Sequence, residues 1–503
     1  MISGTSLGIN LRASLPRFGF EPGRLFWGCF LLFFLAACVA TLGGLQLSIL
    51  FLSGFLLVFV LIWRFPYAGF FVWMATSPLL GILLSFPTGG FQFGERAFGG
   101  SIDITLTELV AGLVLLVWAL RMLLRAQARD RLWKPWLPLF GAYLLIVAAH
   151  VLSVFSAVAP DAILVFKYTL RPVLFVYLIS VILPVNYISS RRRLMDILGL
   201  FGIIGLIFSV NGLISLFFPG TEGGLFRAHP LSLLGVSPLG GNHNALAEVL
   251  LFAMPAALAW SWLSSSVGRI ESRRMASSRL LLAVGFMSVI TLLTFARSAW
   301  LALAAEIIFL FSTLWRPWIK RRARSFILFF IICIPLVMGM LILSQTTEVK
   351  SSTAARTTLT SVAFDIFLRN PWIGAGAGSF MERLNHVYAY TVEFGSAVDS
   401  HGLIQKILAE TGLIGFIAFC VFVALFIRHV SRTWQALRKS TAEAHAYLYL
   451  VAAALGALVY QFFDTTYWTP RLWIPVGLVL VAGRLFLRQH AERDPDFLSP
   501  SHD

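Results

Sequence analysis

His401-Gly-Leu-Ile-Gln-Lys-Ile-Leu-Ala-Glu410-Thr-Gly-Leu-Ile-Gly-Phe-Ile-Ala-Phe-Cys420-Val-Phe-Val-Ala-Leu-Phe-Ile427 opens with a polar head, continues on apolar side chains and then meets Arg428. A helix needs about 20 apolar residues to cross the hydrocarbon of a bilayer, so residues 402–427 read as a membrane span. What precedes it is different. Residues 345–400 form a long, mostly polar loop in a chain that otherwise repeats apolar runs. Loops of that length are functional or disordered, and this one ends on an imidazole at the lip of a span.

The rest of the sequence fits the same picture. Of its 503 residues, 58% are hydrophobic and 12% charged, and the mean hydropathy is +0.84. No water-soluble core absorbs that much apolar surface. The runs lack the period-2 alternation of barrel strands, which excludes a membrane β-barrel. The expected fold is therefore an all-α polytopic integral membrane protein of about fourteen transmembrane helices, with one large loop containing an amphipathic helix. The spans are read at 26–43, 45–63, 66–85, 104–124, 136–156, 161–183, 195–218, 244–263, 279–296, 298–315, 325–344, 402–427, 445–464 and 471–488. Three regions follow: helices of 1–217, a middle region 218–427 that includes the loop, and helices plus tail of 428–503.

The net charge of +16 does not indicate nucleic acid. Its Lys and Arg sit in short clusters between spans, in every second loop: Arg12–Arg24, Arg64, Arg121–Lys134, Arg191–Arg193, Arg269–Arg279, Arg316–Arg324, Arg428–Lys439 and Arg484–Arg493. Cytoplasmic loops collect such residues, so both termini are expected in the cytoplasm and the 345–400 loop outside it. The first apolar stretch follows Arg24 and has small residues near its end, as a signal peptide does, but the polytopic chain beyond makes it an uncleaved first span. Cys29, Cys38, Cys333 and Cys420 fall inside spans with no metal-type spacing. They read as small core residues, with no disulfide, metal or cofactor expected.

Within the loop, Leu359, Val362, Ala363, Ile366 and Phe367 recur as the apolar stripe of a helix lying on the membrane rim or on neighbouring spans. Asn370-Pro371 stops it, and Gly374-Ala-Gly376-Ala-Gly378 turns the chain. Such a glycine run also lets backbone amides approach an anion.

Outside the cytoplasmic clusters, a few polar residues carry the chemistry. His401 can take a proton near neutral pH; the alternative is a helix-cap or interface histidine. Arg227 (in Leu225-Phe-Arg-Ala-His229-Pro230), Arg297 (in Thr294-Phe-Ala-Arg-Ser-Ala-Trp300) and Arg356 lie on the same outward side, where arginine is less common. Arg297 sits in a turn with no local carboxylate, so it either meets an anionic partner or reaches to lipid headgroups. Convergent guanidiniums suit a diphosphate through bidentate hydrogen bonds. Lys167 and Arg171, one turn apart beside Pro172 in the sixth span, either face lipid phosphate or the outer leaflet, or pair with a carboxylate on another helix. His150 and Asn211 read as interhelical hydrogen-bonding residues. Asn242-His243-Asn244-Ala-Leu-Ala-Glu248 reads as a helix cap that also faces the Arg227 side.

This ordered set resembles the O-antigen ligase and O-antigen polymerase superfamily of bacterial lipid-linked glycan transferases. The resemblance rests on the arginine loop followed by Asn244-Ala-Leu-Ala, the Ala-Arg297-Ser turn, Arg356 through Pro371-Trp-Ile-Gly374-Ala-Gly376, and His401 through Gln405, Glu410 and Gly412. It covers about Phe218 to Ile427. It implies that 218–427 is catalytic and that the protein resides in a bacterial inner membrane. Glycan would pass there from an undecaprenyl diphosphate carrier to an acceptor hydroxyl on a glycan or lipid at the periplasmic face, without metal or nucleotide. Carried over, His401 is the general base and Arg227, Arg297 and Arg356 bind the diphosphate. Asn244, Gln405, Glu410, Lys167 and Arg171 are supporting residues. The chain departs from the family spelling at Gly402, where Asn is common, and at Ala296 and Ser298 around the short-turn arginine. The competing class is a transporter or flippase of lipid-linked saccharide, disfavoured by the one-sided loop and the lack of a repeated half.

Overall fold

The computed structural model describes residues 47–87, 101–124, 137–156, 166–218, 227–232, 237–240, 242–265, 270–315, 347–394, 398–438, 440–464 and 469–493. The chain forms two compact units, Met1–Pro66 and Tyr67–Asp503. In the first, α1 (Leu47–Arg64) is an apolar helix with Arg64 in its last turn. The second begins within α2 (Pro66–Thr76) and holds every element from there on.

The span expected over 66–85 is not one helix. Pro78 disfavours helical geometry at Ser77 and removes a donor, while Thr76 and Ser77 turn their hydroxyls back to the carbonyls of Trp73 (3.1 Å) and Met74 (2.8 Å). The helix therefore ends at Thr76. The chain continues as β1 (Leu83–Pro87), paired antiparallel with β2 (Ser101–Thr105) in the register Leu83 with Thr105. This ribbon is the one departure from an all-helical fold among the described residues. Its approach is tight: Gly81 donates to the carbonyl of Pro238 at 2.9 Å, and a Cβ at Gly81 would meet the Ser237 carbonyl oxygen at 1.9 Å.

The remaining elements are α3 (Leu106–Leu124) and α4 (Leu137–Val154). Next comes α5, wound as π-helix over Phe166–Phe175 and Leu178–Ile182 and as α-helix over Leu183–Tyr187. They are followed by α6 (Arg191–Ser215), α7 (His243–Ser265), α8 (Ile270–Leu293) and α9 (Arg297–Leu310). The loop region holds α10 (Thr347–Arg369), α11 (Ser379–Asn385) and α12 (Tyr388–Phe394). Last come α13 (Leu403–Leu437), α14 (Thr441–Gln461) and α15 (Pro470–Arg493). Around Pro172 the turns of α5 are widened. Among the described residues, eight helices are long and apolar enough to cross a membrane, or up to nine if one bent pair counts as a span. The protein is an all-α polytopic membrane protein. The spans expected at 26–43 and 325–344, with Cys29, Cys38 and Cys333, lie outside the described residues.

Two packing devices hold the bundle. In one, Tyr143 of α4 stacks on Tyr177 of α5 at 3.7 Å, and Trp473 of α15 meets both rings edge-on at 5.0 and 5.6 Å. Phe422 of α13 adds edge contacts at 5.8 and 6.3 Å. Each such pair contributes about 0.5–1.5 kcal/mol beyond its burial. In the other, Gly205 and Gly212 let α6 approach its neighbours: a Cβ would fall 2.5 Å from that of Ala253 and 2.8 Å from Leu246, both on α7. Small residues at helix seams serve membrane bundles in this way. Cys420, expected in the core, is exposed instead, on a face of α13 shared with the exposed Ile414, Ile417 and Val421.

Antiparallel connections sort the polar residues to the two ends. At one end Arg191 reaches the carbonyl of Leu263 (2.9 Å) and Glu443 (3.4 Å), while Arg484 bonds the carbonyl of Val185 (3.1 Å). The other end gathers the last turns of α6, α8 and α14 and the first of α7, α9, α13 and α15. Cross-links there bind the segment 227–231: Ala228 donates to the Leu293 carbonyl (2.8 Å), His229 to the Ser215 hydroxyl (2.9 Å) and Leu231 to the Asn211 side chain (3.0 Å).

Candidate functional site

The entrance to α13 is built before any catalytic group is placed on it. Gly412 adopts a non-helical backbone, φ 62°, that breaks the helix about two and a half turns after its start at Leu403. The opened carbonyls accept the loop: Ala375 donates to Ala409 (2.9 Å) and Gly376 to Glu410 (3.1 Å), while Leu413 donates to Pro371 (2.8 Å) and Ile414 to Trp372 (3.1 Å). Gly374, at φ 70°, has no room for a side chain, since a Cβ would lie 2.3 Å from the Glu410 backbone. From the α4 side, the Ser156 hydroxyl donates to the Gly374 carbonyl (2.7 Å) and the Ala377 amide donates to the Ser153 hydroxyl (3.1 Å). His150 bonds the Ile146 carbonyl of its own helix at 2.8 Å.

The glycine run thus does not hold an external anion. Its amides are used within the protein, two of them on the α13 backbone, and the carboxylate at its end is internal: Glu410 accepts from the amides of Gly378 and Phe380. Lys406, 4% exposed, bonds Asp399 and lies 3.6 Å from Glu410. The stripe expected in the loop helix supplies the apolar side of the same joint. Leu359, Ala363 and Ile366 of α10 are buried against Ala375, Phe380, Leu384, Tyr390 and Ala409, with Val362 packed alongside. Here α10 lies on a neighbouring span, as one of the two expected placements had it. It starts at Thr347, well before Arg356.

His401 stands at the edge of this joint. Ser400 before it is buried, and its own Nδ1 is buried without a hydrogen-bond partner among the described residues. Burial and then Arg356 push its pKa below the usual 6.5, with Asp464 and Asp399 opposing. The imidazole is therefore available as a neutral base across the physiological range. Arg356 also bears on Arg297, the first residue of α9. A third group joins them: His243, the first residue of α7, feels Arg227, Arg356 and His229. Residues distant along the chain, Arg227, Arg297, Arg356 and His401, so fall within one electrostatic neighbourhood at one end of the bundle, with Arg356 common to its parts. The turn presenting Arg297 is strained. Phe295 is the one non-glycine residue with a positive φ, 56°, among the described residues. Its ring packs 6.0 Å from Trp300, whose indole donates to the Leu292 carbonyl at 3.2 Å. Such strain concentrates at functional positions.

The supporting residues divide. Asn244 is at the site's edge through its backbone: its amide donates to the Asn242 side chain (2.9 Å) and its carbonyl accepts from Tyr460 (3.1 Å). Asn242 is thus the cap that the sequence suggested. Gln405 lies over Gly402, where a Cβ would meet its Oε1 at 2.0 Å, so the glutamine amide occupies the space a longer residue 402 would need. Glu410 belongs to the joint just described. Arg171 is paired through two hydrogen bonds with Glu108 of α3 (3.1 and 2.8 Å), the interhelical alternative. The side chain of Lys167 lies outside the described residues.

Sequence reasoning gave no role to His243, His229, Asp399 or Asp464. Asp464 bears on His401 and accepts from Tyr460 at 3.1 Å, which links it through the same hydroxyl to Asn244. A signal was present: each is a titratable residue in a segment between spans or at the end of one, outside the Lys- and Arg-rich clusters.

Residues 282–420 match the family model described as O-antigen ligase. The chain carries an O-antigen ligase family domain. The matched stretch contains Arg297, Arg356 and His401 together with the α13 joint, whereas Arg227, His243 and Asp464 lie outside it. No curated protein matches the chain. Among the described residues no group of histidine, cysteine and carboxylate side chains could hold a metal ion.

Proposed function

We propose that this ligase-family protein is a membrane glycosyltransferase of cell-surface polysaccharide synthesis, moving a glycan from an undecaprenyl diphosphate carrier to an acceptor hydroxyl on a glycan or lipid. The supporting observation is that Arg356 bears on His401, on Arg297 and, together with Arg227, on His243. In this reading 218–427 is the catalytic region, and the site faces the periplasm from a bacterial inner membrane. Both termini are cytoplasmic, and the spans number about fourteen as hydropathy suggests.

The chemistry follows from the groups present. His401 takes the proton of the acceptor hydroxyl as its oxygen attacks the anomeric carbon, and the bond to the carrier's phosphate oxygen breaks on the opposite face. Negative charge grows on the departing diphosphate. Guanidiniums preorganised around it stabilise that charge more in the transition state than in the ground state. Asp464 and Asp399 favour the imidazolium formed when His401 takes the proton. The activated donor supplies the driving force.

The test is direct. Purified protein in nanodiscs receives lipid-linked glycan with a lipid A core acceptor, a second lipid-linked repeat unit or a protein acceptor, each alone, and the covalent product is identified. Product with one acceptor and none from His401→Ala supports the reading. Movement of lipid-linked glycan across vesicles that survives His401→Ala, with no covalent product, establishes a transporter instead.

A further inference from the structure

His243 is the one imidazole near the arginines that neither the proposed chemistry nor the fold employs. Its Nδ1 is buried with no hydrogen-bond partner among the described residues, although buried polar atoms are almost always satisfied. Among the described residues the groups that bear on it are Arg227, Arg356 and His229, with no carboxylate among them. His401 differs here, since Asp464 and Asp399 offset Arg356. Arginine offers only donors, so neither guanidinium is a hydrogen-bond acceptor for the imidazole. An oxyanion, with several lone pairs, satisfies guanidinium and imidazole N–H groups together.

The backbone around His243 is fixed from three directions. Asn242 accepts from the amide of Asn244 through its side chain (2.9 Å) and from Ala245 through its carbonyl (3.0 Å), and Tyr460 of α14 holds the Asn244 carbonyl (3.1 Å). A side chain carried on a backbone fixed in this way loses less freedom when it binds. We propose that His243 is a direct ligand of the anionic carrier, its imidazole hydrogen-bonded to the lipid diphosphate between Arg227 and Arg356. This rests on the transferase reading and adds to it a residue outside the matched domain.

The test uses the full chain in nanodiscs, with undecaprenyl diphosphate as probe and undecaprenol as its uncharged control. Wild-type protein binds the diphosphate in preference to the alcohol. His243→Phe keeps ring volume and removes both nitrogens; it weakens diphosphate binding by about tenfold or more and leaves undecaprenol binding unchanged. His243→Gln, which retains an amide donor, recovers affinity to within about threefold. In turnover, KM for the lipid-linked donor rises in His243→Phe while kcat falls less. Should His243→Phe fail to insert, His243→Ala is read in the same way. Diphosphate binding by His243→Phe equal to wild type, while Arg297→Ala loses it, overturns the role of His243 alone. Wild-type protein that does not distinguish diphosphate from alcohol overturns the transferase reading with it.

Discussion

Two clusters of titratable and charged side chains lie at this end of the bundle, one buried and one half-buried, and they differ in what completes them. In the joint of Lys406, Asp399 and Glu410 both carboxylates meet the buried ammonium within the protein, and the Phe380 amide donates to Glu410. Around His243 the groups that bear are Arg227, Arg356 and His229, with no acid among them in the described residues. The first arrangement is a closed structural latch. The second leaves a buried imidazole nitrogen without a hydrogen-bond partner among the described residues, and a ligand can supply one. His401 lies between, touched electrostatically by Arg356 on one side and by Asp399 and Asp464 on the other.

The sharpest way to break this contrast is to remove the imidazole between the clusters. His401→Ala should lower transfer by about 10²–10⁴-fold, the range for loss of a positioned general base, with donor binding retained in an equilibrium assay. Next in size is the latch. Lys406→Met leaves a buried carboxylate without its cation, a change that costs about 3 kcal/mol or more. It should lower the thermal unfolding midpoint, and the double variant Lys406→Met/Glu410→Gln should recover much of it. A double variant as unstable as the single one would show that the latch is not held by this pair.

Arg356→Gln should reduce turnover by about 10²-fold, equivalent to about 3 kcal/mol of transition-state stabilisation. It should also move the pH profile. Arg356 holds the His401 pKa down, so its removal raises that pKa, and the acid limb, where the base is lost to protonation as pH falls, shifts to higher pH. Asp464→Asn removes a charge that holds the pKa up, and the limb should move to lower pH. Opposite displacements would establish that both groups act on one imidazole; a shared direction would separate them. The smallest effect belongs to packing away from both clusters. A Cβ at Gly456 would meet the Glu306 carboxylate oxygen at 1.8 Å, so Gly456→Ala should destabilise by about 1–3 kcal/mol while leaving the His401 pH limb in place, as read from unfolding curves and pH–rate profiles.

Much of this was legible in the linear chain. Apolar runs of span length define a membrane fold because unsatisfied backbone in hydrocarbon leaves helices as the remaining choice once barrels are excluded. The stripe from Leu359 to Ile366 forecast the buried face of α10, because helical periodicity depends only on local geometry. Alternation of span direction placed Arg227, Arg297, Arg356 and His401 at one end of the bundle. Local rules also misled. The 66–85 run had enough hydropathy for a span, but Ser77-Pro78 ends the helix and the chain pairs as a strand with 101–105. The glycine run had the composition of an anion cradle, yet its amides are consumed by the broken turn of α13.

What the sequence by itself determined is therefore the solvent each segment prefers, the end of the bundle at which each polar residue emerges and the kind of chemistry those residues offer. These follow from transfer energies and from the fixed rise of a helix. Tertiary structure alone decided which charges are consumed across elements: Arg171 by Glu108, Arg471 by Glu248 at 2.8 Å, and Glu410 by the amide of Phe380. Partnership acts over a few ångströms between residues tens to hundreds of positions apart, a distance that hydropathy and periodicity do not encode.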